Sequence, residues 1–142
     1  MRRLIYLLPI LLAACSSKNN IEPSQSKVLY EVISQQSQGG ASIEFYEIST
    51  EEKEIAMLKN DEALRDKISV SDLKMSSFVI LNMGEKPTAG YSISVKEVVE
   101  QADKIIVVVD SKSPSPDMMV PQVMTYPFAV VKINSRKPIE IK

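Results

Sequence analysis

The side chains that could carry chemistry are few: one Cys, no His, no Trp, and 18 Asp+Glu beside 17 Lys+Arg in 142 residues. Without an imidazole no Ser/His/Asp or Cys/His arrangement exists, because each needs a base that takes the nucleophile's proton near neutral pH. The same absence, with a single thiol at Cys15, removes zinc sites built from thiolate and imidazole. No D-x-D-x-D-G calcium loop is present either. Paired carboxylates or a Ser/Lys dyad are the acid–base options left, as in any chain with this many of each. The expectation is a non-catalytic protein with no cofactor and no metal. A faint acid excess without basic clusters also argues against nucleic acid, whose binding rests on neutralising phosphates.

The lone thiol stands in a specific context. Arg2 and Arg3 precede an apolar run from Leu4 to Leu12 that is too short to span a bilayer permanently. The run closes on Leu12-Ala13-Ala14-Cys15, which resembles the bacterial lipobox. The resemblance implies diacylglycerol transfer to Cys15, cleavage between Ala14 and Cys15, and acylation, commonly with palmitate, of the new amino terminus. Residues 1–14 then form a signal peptide, and 15–26 a polar, lipidated, flexible tether. Two or three acyl chains hold a domain firmly where one holds it marginally. Ser16 after the Cys, with no Asp there, resembles the outer-membrane sorting pattern, so the expected place is the outer membrane, facing the periplasm.

Residues 27–142 read as one domain, long enough to bury a core without disulfide or metal. Strands are expected at Val28–Ile33 and Ala41–Ile48, joined as a hairpin by the polar Gly39-Gly40 turn. Ser49 and Glu52 in capping-box spacing, then Ile55, Leu58 and Leu64, predict one helix over about Thr50–Asp66. Period-two patterning returns at Ser77–Met83, Tyr91–Val95 and Phe128–Ile133, with a short last strand at Ile139–Ile141. The β-branched run Ile105–Val109 reads as a central strand covered on both faces. The fold class expected is α+β, mainly β: an antiparallel sheet or partly closed barrel of six to seven strands with one packed helix.

Two loops carry a resemblance. Val79-Ile80-Leu81-Asn82-Met83-Gly84-Glu85-Lys86-Pro87-Thr88-Ala89-Gly90-Tyr91, followed by a Pro-rich loop and Gln122-Val123-Met124-Thr125-Tyr126-Pro127-Phe128, resembles the PrcB C-terminal domain family, most strongly over 72–133. The family is named for a lipoprotein subunit that supports assembly of an outer-membrane protease complex. The chain departs from the family in having Asp72-Leu73 for its Asp-Phe and Ala89-Gly90-Tyr91 for its Gly-Gly-Tyr. Gly84, Gly90, Tyr91, Thr125 and Pro127 stand at the motif's structural positions, with Gly90 expected at positive φ and Tyr91 capping the core. The resemblance implies an envelope-anchored domain that binds another envelope protein, such as a protease.

Lys86, Pro87, Thr88, Met118 and Met119 are the expected contact residues. An up-and-down meander is expected to bring both loops to one end, with the turn near Glu100–Asp103 at the other. Pro87-Thr88-Ala89-Gly90-Tyr91 is also similar to the loop that chagasin-type inhibitors present to cysteine proteases. Inhibition is therefore the competing reading, and a carrier of a small apolar ligand in a barrel mouth the third.

Overall fold

The computed structural model describes residues 28–142; the signal segment 1–14, the lipidation and cleavage site at Ala14 and Cys15, and the tether 15–26 lie outside the described residues. The strands are β1 Tyr30–Gln36, β2 Glu44–Ser49, β3 Ser77–Met83, β4 Ser92–Glu100, β5 Ile105–Lys112, β6 Phe128–Ile133 and β7 Ile139–Ile141. Three short helices lie between β2 and β3: α1 Glu52–Leu58, α2 Glu62–Arg65 and α3 Asp72–Met75. The protein is mainly β with a helical minority, as its patterning implies.

The strands form two sheets, ordered β1-β6-β3-β2 and β4-β5-β7. All pairs are antiparallel except β5 with β7, which run parallel. On its inner face the larger sheet sets Val79, Leu81, Ala129, Val131 and Ile133 against Ile93, Ile105 and Val107 of the smaller. Its outer face carries Phe78 and Val130, which pack with Ile33 under Ile55, Leu64 and Ile68 of the helical segment. The larger sheet is thus the middle of three layers, which is why β3, Ser77-Phe78-Val79-Ile80-Leu81-Asn82-Met83, is apolar on both faces rather than alternating.

Pairing departs from the expectation in two places. β1 and β2 do not form a hairpin; they are opposite edges of the larger sheet, separated by β6 and β3. The Gly39-Gly40 stretch therefore crosses the end of the sheet instead of making a tight turn. Nor are β3 and β4 neighbours: the chain passes from one sheet to the other between them, so there is neither a meander nor a closed barrel. The barrel mouth that a ligand carrier would use is not formed. β5 is central in its sheet, yet only Ile105 and Val107 are fully buried, while Ile106, Val108 and Val109 are half-buried.

The single expected helix is divided because its sequence supplies its own breaks. Glu54 accepts from the backbone N–H of Thr50 at 3.2 Å and Glu51 at 3.4 Å, so the helix start lies two residues later than Ser49–Glu52 spacing implies. After Leu58 the chain turns, and Asp61, extended at ψ 125, caps α2 by accepting from Ala63 N–H at 2.8 Å. Asx side chains offer the backbone such an alternative partner, and here that alternative wins. α3 is tied down by Asp72, which accepts from Ser69 N–H and Oγ at 2.8 Å and lies 3.8 Å from Lys132 Nζ on β6.

Candidate functional site

The two motif loops do meet, by a route the meander did not anticipate. β3 pairs β6 directly, with Asn82 opposite Phe128. The ladder continues past both strand ends: Met83 N–H donates to the Pro127 carbonyl at 2.9 Å. Pro127 itself is fully buried directly before β6, where its missing N–H interrupts no strand bond. Farther out, Lys86 and Thr125 exchange backbone hydrogen bonds of 2.8 and 2.9 Å. Thr125, 3% exposed, then donates its hydroxyl to the Thr88 carbonyl at 2.8 Å, and Ala89 N–H reaches the Pro121 carbonyl at 3.0 Å. Thr88 turns its own hydroxyl to the Ala89 carbonyl.

Gly84 and Gly90 hold φ of +78° and +93°, the left-handed region that side chains with a Cβ avoid. At Gly90 a second reason applies: an added Cβ would stand 2.9 Å from Pro114 Cβ and 3.2 Å from Val120 Cγ1. The Pro-rich loop is therefore laid directly against the backbone of the Gly84–Tyr91 loop. The Tyr91 ring is half-buried against the inter-sheet core, with Lys86 Nζ 5.9 Å from its centroid on the open side.

A third segment, 37–43, joins the pair. Tyr126 N–H donates to the Ser37 carbonyl and Gly40 N–H to the Tyr126 carbonyl, both at 3.0 Å, and Glu85 N–H to the Ser42 carbonyl at 3.0 Å. Asn82, 1% exposed, accepts from Ala41 N–H and donates to the Ala41 and Ile43 carbonyls. Tyr126 donates its hydroxyl to Glu85 at 2.8 Å, and that hydrogen bond is the main reason its pKa is raised. Sequence reasoning missed this segment and Asn82. The available signal was an amide inside an otherwise apolar strand, a position that needs dedicated backbone partners.

The result is one hydrogen-bonded end face built from 37–43, 84–91 and 111–126. Pro87 is exposed, Thr88 and Lys86 are half-buried, and Met118 and Met119 project at 56% and 100% exposure. Val123, Met124 and Ile43 add exposed apolar surface. Met118 and Met119 thus stand clear of the core. Among the described residues no group of three or more metal-ligating side chains is arranged to hold an ion, and no helix is long and apolar enough to cross a membrane. What the face offers is shape: hydrogen-bonded backbone, flexible thioethers and the Lys86 ammonium near the Tyr91 ring.

Residues 77–134 match the model of the PrcB C-terminal family. The matched segment runs from the first residue of β3 to just past β6, so it holds both motif loops and the strands that frame them. Asp72-Leu73, expected at its border, lie outside it in α3. An uncharacterized protein of Methanocaldococcus jannaschii is 33% identical over 66 residues, 46% of this chain and 40% of that protein. The chain thus spans less than half the length of this relative. No solved structure matches the chain. The resemblance borne by the two loops is therefore borne out over residues 77–134.

Proposed function

We propose that this protein is a non-catalytic bacterial lipoprotein whose loop face binds another envelope protein, as an accessory or assembly subunit of an envelope protease complex. Lipid on Cys15 anchors it, by this reading in the outer membrane facing the periplasm. The observation that carries the proposal is the pairing of Lys86 with Thr125, which joins the loop that exposes Pro87 to the loop that exposes Met118 and Met119. A loop ordered before it docks loses little entropy on docking, and Met side chains adapt to irregular partner surfaces. The family's relation to protease complexes supports the class of partner.

Affinity capture of the full chain from envelope extracts tests this. Met118→Asp with Met119→Asp, and separately Lys86→Glu with Thr88→Ala, should weaken capture of the same partner about tenfold or more while moving the thermal midpoint little. Capture equal to wild type by both double variants places the binding surface elsewhere. Inhibition by the Pro87–Tyr91 segment is the second reading, favoured by Pro87 standing exposed between residues held on either side. Titration against papain-like and chymotrypsin-like proteases separates the two, because an inhibitor abolishes turnover and an assembly subunit does not.

A further inference from the structure

Four strands form sheet edges, and three of these are ill suited to accept another strand. β1 has a bulge between Val32 and Ser34, with Lys67 Nζ donating to the Ile33 carbonyl at 2.6 Å. β4 has a bulge between Val95 and Glu97, and β7 is three residues long. Such irregular or short edges resist further pairing. β2 differs. It pairs β3 in unbroken register from Glu44 to Ser49, and among the described residues no backbone bond from outside that ladder reaches it.

Beside β2, α1 leaves an open cleft of about 400 Å³ lined by Glu47, Ser49, Glu54, Met57, Leu58 and Ile80. On the other face of β2, Tyr46 and Ile48 are 41% and 37% exposed. The site has one sign of charge. Glu44, Glu47 and Glu54 make no ion pair among the described residues, and Glu54 uses Oε2 for the helix cap.

We propose that the β2 edge and this cleft form a strand-addition site for an extended segment of a partner protein that alternates basic and apolar side chains. Backbone bonds to β2 would supply the attachment, and the two-residue period would send alternate side chains to opposite faces. Basic side chains meet Glu47 and Glu54 in the cleft, and apolar ones cover Tyr46 and Ile48. A second copy fits worse, since pairing β2 with itself sets two carboxylates of Glu44 and Glu47 on each face of the seam, and β2 brings no cation to offset them.

The test uses the full chain and a fluorescent peptide of four Val-Lys repeats, which sets all its Lys on one face. Binding read by anisotropy should be accompanied by slowed amide exchange in Tyr46–Ser49, and should weaken about tenfold in Glu47→Lys with Glu54→Lys. Four Val-Glu repeats should not bind, and a Val-Lys peptide N-methylated on its outward-bonding amides should lose binding. This inference is independent of the loop face, so Met118→Asp with Met119→Asp should leave the peptide affinity unchanged. Failure of the Val-Lys peptide to bind, equal affinity after N-methylation, or indifference to the charge reversal overturns the proposal. Sedimentation showing a dimer that forms through β2 in place of peptide binding overturns it in favour of a second copy.

Discussion

Asp72 has a side chain 13% exposed, and its burial works against ionisation. Hydrogen bonds from Ser69 N–H and Oγ, the charge of Lys132 and the Ser76 hydroxyl outweigh that burial and hold its carboxyl below the ordinary value of 3.8. A carboxyl depressed in the folded state adds stability that is present above its unfolded pKa and disappears as pH falls through the folded one. Asp72→Asn should therefore lower stability by about 1 to 3 kcal/mol at pH 7, with the deficit shrinking steadily below about pH 4. Denaturant titrations of both proteins at several pH values check this, and an equal deficit at pH 7 and pH 3 would contradict it. At Gly90 the positive φ and the Pro114 contact act together. Gly90→Ala should cost about 1 to 3 kcal/mol and raise amide exchange in 111–122 more than in the sheets. Uniform protection after that substitution would show that the loops do not depend on each other.

At the level of elements, β-branching and apolar patterning placed β3, β6 and β7 residue for residue, while β4 and β5 run on to Glu100 and Lys112, past the expected Val95 and Val109. Alternation reports which face a side chain occupies and is silent on which strand lies beside it. The β1–β2 hairpin and the β3–β4 neighbourhood were therefore drawn from turn residues alone, and long-range pairing with β6 overrode both. The two loops were legible as loops from their Gly and Pro, and their partnership from the family motif. Their actual junction depends on β3–β6 pairing, which no local pattern announces. Asn82 belongs to this scale because one amide ties segment 37–43 to β3. Asn82→Ala should cost about 1 to 3 kcal/mol, since it leaves buried backbone groups unpartnered. Hydrogen exchange should show the loss concentrated in Gly40–Ile43; a variant as stable as wild type would mean that the segment finds other partners.

For the whole molecule, three layers sharing two cores are built from the described residues. A fragment of residues 28–142 should unfold in one cooperative transition, unmoved by EDTA or reductant. Because β1 pairs β6 across most of the chain, refolding should take milliseconds to seconds rather than microseconds. Loss of the transition on adding chelator would refute the metal-free account. If the proposed lipidation is right, Cys15→Ser should leave the precursor unlipidated and uncleaved, which the mass of the product checks.

The central claim is that the end face made by 84–91 and 111–126 docks an envelope protein, and cross-linking in intact cells tests it most directly. A photoreactive amino acid placed at Met119, at Pro87 and, as a control, at exposed Lys96 on β4 reports what each position touches. The account predicts one and the same envelope protein cross-linked from positions 119 and 87, and no such adduct from 96. Adducts from 96 alone, or none from 119 and 87 in cells where the protein is folded and anchored, would contradict it.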